Sequence, residues 1–147
     1  MNHVQAALLC SCLVLASTPA LAAGCGKMPV VSAADSSGGR VELVLDSDLI
    51  EKTPQWLPEK GEPPFPVAKA ATLAKKWGEK NYKGADSIEV RQISLTSLGC
   101  SNMSNRWYYV VEFLPKVNGV PKFEPGNWVA VLFDGEVVGP TRSVAAK

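Results

Sequence analysis

The clearest alternation of apolar and polar positions runs from Arg106 to Leu114. Trp107, Tyr109, Val111 and Phe113 fall on one face, and Tyr108, Val110 and Leu114 on the other. A period of two is that of a β-strand, and apolar residues on both sides predict a central strand covered on both faces. Upstream, Ser87 to Leu98 alternates as Ile88 and Val90, then changes phase to Ile93 and Leu95. A phase change within one strand predicts a bulge near Arg91 and Gln92. Downstream, Trp128 to Phe133 is apolar throughout, and Asp134-Gly135 predicts a two-residue hairpin turn. That turn would set Phe133 against Glu136, Leu132 against Val137 and Val131 against Val138. Pro140 would end the last strand, leaving a loose tail to Lys147.

Before these strands the period lengthens. Val67, Ala70, Leu73, Ala74 and Trp77 share one helical face, with the lysines 69, 75 and 76 largely opposite. Pro66 opens this helix where proline is best tolerated, and Gly84 closes it. The lysine face reads as the solvated side of the helix. Residues 46–65 hold Pro54, Pro58, Pro63 and Pro64 and exclude a long helix or a central strand. Val41 to Leu45 reads as a short first strand, and residues 31–40 are small, polar and without a pattern.

The expected fold is therefore α+β, with one main helix packed on a three- to five-stranded antiparallel meander. The helix spans about 66–83 and the sheet about 87–139, within a single domain over 41–147 preceded by a flexible leader over 23–40. One helix covers one face of a sheet. The other face, with Tyr108, Val110 and Leu114, needs a cover of its own. Either Trp56 and Phe65 form a lid over it, or it is an apolar binding face for a partner.

The N-terminus changes the picture. Ala6 to Ala16 is apolar except for Ser11, Pro19 follows, and Ala20-Leu21-Ala22 is a small-residue cleavage site. This predicts a secretory signal over 1–22, cleaved after Ala22, although the segment ahead of the apolar run has no Lys or Arg. No later stretch is long and apolar enough for a transmembrane helix. The expected location is periplasmic or secreted.

The 15 Lys and Arg balance 14 Asp and Glu, a net charge of +1, with no basic face that would suggest nucleic acid. The one histidine is His3, inside the predicted signal. The chain beyond it has no imidazole for a Ser-His-Asp or Cys-His site or for a zinc site. Of four cysteines, Cys10 and Cys12 lie in the signal, leaving Cys25 and Cys100. Two such cysteines in an oxidising compartment pair, and closing a loop of about 75 residues is worth ~4 kcal/mol in the chain-entropy model. A second reading uses the same residue: Leu21-Ala22-Ala23-Gly24-Cys25 is a permissive lipobox, in which Cys25 is acylated and the chain is lipid-anchored to an envelope membrane. Both readings stand at this point.

Helix Ala68–Trp77, strand Ile88–Leu95, strand Trp107–Phe113 and the ending Val129–Val138 together resemble a PepSY domain and, more loosely, the cystatin-like architecture. That resemblance implies an envelope or secreted module that binds or restrains peptidases and carries no agreed catalytic residues. Asp46 with Asp48, or Glu59 with Glu62, are carboxylates in loops with nothing to raise one pKa, and read as surface charge. Asp46-Ser47-Asp48 lacks the rest of a calcium loop. No phosphate loop, dinucleotide fingerprint or nucleophile elbow is present. The expectation is a non-catalytic module with no cofactor and no metal, binding a protein or peptide. The alternatives are an assembly-accessory lipoprotein anchored through Cys25 and, last, a hydrolase working by carboxylates alone.

Overall fold

The structure, a computed structural model, describes residues 25–100 and 103–143. The predicted signal and its cleavage point at Ala22 lie outside the described residues.

The chain opens with β1 (Lys27–Ala34), β2 (Arg40–Asp46) and a short helix α1 (Ser47–Glu51). A proline-rich segment with a 3-10 turn at Pro58–Lys60 leads into α2 (Val67–Asn81). Then follow β3 (Ser87–Ser97), β4 (Trp107–Val117), β5 (Val120–Pro121), β6 (Trp128–Leu132), β7 (Val137–Val138) and β8 (Thr141–Ser143). The result is α+β with one main helix and two antiparallel sheets. One sheet has the order β1-β2-β8; the other has the order β3-β4-β6-β7, with β5 added to β4.

The helix forms as expected, with Pro66 in extended conformation at its N-cap. Ala70, Ala74 and Gly78 are its buried face. Gly78 lets it lie close to β3, since a Cβ there would stand 3.0 Å from Ile88 Cγ2. The strand β3 carries the expected bulge, with the register shifting between Val90 and Gln92. The extra residue restores phase, so Ile88, Val90 and Ile93 all pack on the helix side.

The core has two halves, one on each face of the larger sheet. On the helix side Tyr109, Val111, Phe113, Val129, Val131 and Phe133 pack with Ala70, Ala74 and Ile88. On the other side Tyr108, Ala130 and Leu132 pack with Leu43, Leu45 and Ile50. The two-faced pattern of β4 thus has a direct cause: it is the middle of a three-layer stack of helix, sheet and sheet.

Three expectations are corrected. First, Lys27–Ala34, assigned to a flexible leader, is a strand. It pairs with β2 from Lys27↔Asp46 to Ala34↔Arg40. Small residues and Pro29 hid it, but β1 is a sheet edge, where proline is tolerated. Second, the tail is not wholly loose: Thr141–Ser143 pairs with β2. Third, the hairpin after β6 has a loop one residue longer and its register shifted by one, with Val131↔Val137 and Ala130↔Val138. Gly135 takes φ +92, giving a three-residue loop over Phe133–Gly135 in place of a two-residue turn. The change turns Val137 toward the helix side, where it packs with Val131.

Candidate functional site

The residues proposed as a lid do not cover the second face. Trp56 and Phe65 pack on the helix side, against the same cluster as α2. The cause is connectivity: Phe65 runs through Pro66 directly into α2, so the segment must lie on the helix's side of the sheet. Several bonds tie it there. Trp56 N–H donates to Asn105 O (2.9 Å), Trp107 Nε1 donates to Trp56 O (3.0 Å), and Tyr109 Oη donates to Phe65 O (2.7 Å). Trp56 also meets Trp107 edge to face, with ring centroids 5.3 Å apart. Burial holds the Tyr109 phenol above its usual pKa.

The second face is covered by β1, β2 and α1. Tyr108 is 4 % exposed, and Val110 packs in the same cluster. Tyr108 is closed to a partner, and Val110 is half-buried against the covering layer. Leu114, half-buried, lies at the far end of β4 beside Phe123 and Trp128. Cys25 and Cys100 meet as a disulfide pair, Cα–Cα 6.2 Å, joining the start of β1 to the loop after β3. Asp46, one of the considered carboxylates, caps α1 by accepting from Asp48 N–H at 3.1 Å. Among the described residues no group of three or more His, Cys, Asp or Glu is placed to hold a metal ion, and no helix is long and apolar enough to cross a membrane.

A different feature emerges at the outer strand β3. Among the described residues, the edge strand β1 contains Pro29 and a bulge, and the edge strands β5, β7 and β8 are two, two and three residues long. The remaining edge strand, β3, is eleven residues long. Its first half is guarded: Glu89 is ion-paired with Lys116, Arg91 is exposed, and the bulge follows Val90. Its second half, Ile93-Ser94-Leu95-Thr96-Ser97, has no charge, no proline and no bulge. Charges, prolines and bulges are how sheet edges avoid pairing, so this half is open.

The backbone of that half faces outward in alternation. Leu98 N–H donates to Arg106 O (2.8 Å), continuing by one residue the register Ser97↔Trp107. Bonded and non-bonded pairs alternate in an antiparallel ladder. Thr96↔Tyr108, Ser94↔Val110 and Gln92↔Glu112 are then the bonded pairs. The N–H and C=O groups of Ile93, Leu95 and Ser97 point away from β4.

Beside them lies a groove of about 440 Å³, lined by Glu62, Pro63, Pro66, Val67, Ile93, Leu95 and Tyr109. It runs between the start of α2 and the open half of β3. Val67 is 52 % exposed and Leu95 37 %, so apolar surface here remains in water. Ile93 and Leu95 supply both the free backbone groups and part of the apolar lining. Sequence reasoning placed both residues in a strand but had no sign that this strand is an edge. The signal within reach was the uncharged run from Ile93 to Ser97.

Comparison with models of protein families, with characterised proteins and with solved structures yields no match to this chain.

Proposed function

We propose that this chain is a non-catalytic, exported binding module that takes up an extended segment of a partner protein by strand addition to β3. One observation carries the reading: the uncharged half of β3 presents outward backbone groups at the residues whose side chains line an apolar groove. Main-chain bonds to an edge give affinity, and pockets for alternate side chains give selectivity. The resemblance to PepSY and cystatin-like domains belongs to the same proposal. Helix α2 laid over the β3-β4-β6-β7 meander is the arrangement that resemblance implies, and the three-stranded sheet on the opposite face is an addition to it. The pairing of Cys25 with Cys100 supports export, since disulfides persist in oxidising compartments. It also supports the unanchored form over the lipoprotein, because an acylated Cys25 has no sulfur left to bridge.

The test is selection from a displayed peptide library on the wild-type protein, with Leu95→Lys as the control. A lysine at Leu95 guards the edge and charges the groove without touching a ladder bond to β4. Selected peptides should bind the wild type, lose affinity by more than about tenfold on Leu95→Lys, and shift the amide resonances of Ile93, Leu95 and Ser97. Peptides that bind both proteins equally, or that shift another region, would overturn the proposal.

A further inference from the structure

Resting on the strand-addition reading, the geometry points to the chemistry of the segment: added antiparallel, as every strand pair described in both sheets is, it has the pattern cation–x–apolar–x–apolar. The argument starts from which residues an incoming strand must face. An antiparallel neighbour bonds to Ser97, Leu95 and Ile93 in that order along its own chain, at alternate positions. Residues directly opposite in an antiparallel pair project to the same face. The first, third and fifth residues of the segment therefore project to the side of Ile93 and Leu95, which is the side of the groove.

The two ends of that groove differ. The segment from Trp56 to Phe65 crosses the helix side of the sheet in a known direction. Trp56 is bonded by Trp107, which pairs with Ser97. Phe65 is bonded by Tyr109, which pairs with Leu95. Between them, Trp56 Nε1 donates to Gly61 O (3.2 Å), which holds Glu62 close to the Trp56 end. Glu62 thus stands toward the Ser97 end of the open edge, while Ile93, Leu95 and Val67 supply the apolar lining. Among the described residues Glu62 has no ion-pair partner. It is the one charged side chain of the groove. A segment residue opposite Ser97 meets a carboxylate, and the residues opposite Leu95 and Ile93 meet apolar walls. Read along an antiparallel segment, this is Lys or Arg first, then apolar residues at the third and fifth positions. A parallel strand would place the cation last.

The test uses acetylated, amidated peptides on the full oxidised chain. The first contains Lys-Thr-Val-Thr-Val; the others replace its Lys with Glu, replace both Val with Ser, or reverse the sequence. Expected is binding of the first, about three- to tenfold weaker binding of the Glu peptide, and loss of more than about tenfold for the Ser peptide. The reversed peptide should bind more weakly than the first. Glu62→Lys should invert the preference between the Lys and Glu peptides, and added salt should shrink the difference in both proteins. If Leu95→Lys abolishes binding but the Lys and Glu peptides bind alike and Glu62→Lys changes nothing, the pattern is wrong and strand addition stands. If no peptide binds the wild type, or binding ignores Leu95→Lys, strand addition itself fails and the pattern with it.

Discussion

Tyr109 shows how much one side chain holds in this molecule. Its ring packs at 5.6 Å from Phe133, and its hydroxyl donates to the carbonyl of Phe65, the last residue before the N-cap of α2. Burial raises its pKa, as it does that of Tyr108 on the opposite face. A tyrosine is neutral when protonated, so a raised folded-state pKa means that the folded chain holds the proton more tightly than the unfolded chain. The stabilisation is complete below the unfolded value of about 10 and is lost as pH rises through the folded value. Urea midpoints should therefore fall above about pH 10, and Tyr109→Phe should weaken that fall while costing about 1 kcal/mol at neutral pH. A midpoint flat to higher pH in the wild type would contradict this account. The alternation that placed Tyr108 and Tyr109 on opposite faces was legible in the sequence, because β4 keeps its two-residue period without a bulge. The assignment of Trp56 and Phe65 to the second face was not. Which side of a sheet a proline-rich segment crosses depends on the helix it enters, and that is a matter of three-dimensional connection.

At the scale of elements, β4 and β3 differ in one respect that local pattern does not carry. Strand β4 has neighbours on both sides, β3 and β6. Among the described residues, strand β3 has one neighbour, β4. Amide exchange should report this residue by residue. Gln92, Ser94 and Thr96 point their N–H groups at β4 and should exchange slowly; Ile93, Leu95 and Ser97 should exchange faster, in strict alternation. Uniform protection along Ile93–Ser97 would mean the edge is already occupied, and uniform loss would mean the strand is frayed. The bulge at Arg91 was readable from the phase change, whereas β1 was not readable at all. Strand β1 has Pro29 within it and ends Ser32-Ala33-Ala34, and its pairing with β2 is set by Val41, Leu43 and Leu45 alternating into the core. The hairpin at Asp134-Gly135 shows the finer limit. The dipeptide marks a turn, but a three-residue loop with Gly135 at positive φ uses the same two residues as a two-residue turn.

At the scale of the whole molecule, one covalent tie among the described residues joins the smaller sheet to the larger, and both of its cysteines pack in the half of the core that lies between the two sheets. The Cys25–Cys100 bridge spans a sequence separation of 75, linking the start of β1 to the loop that follows the open strand. Replacing both cysteines with serine should lower unfolding free energy by ~4 kcal/mol on the chain-entropy account, read from urea unfolding of the oxidised protein and the double variant. A change under about 1 kcal/mol would mean that β1 and the β3–β4 loop hold together without it. The bulge after Val90 has a different consequence, one of time. It stops an added strand, leaving three residues with outward backbone groups. A contact so short belongs in the micromolar range, and with association near 10⁶ M⁻¹s⁻¹ its lifetime is about a second. A molecule built this way samples many segments in turn. It stays with one only where a second contact, or a second copy on the same partner, raises the effective concentration enough to hold it.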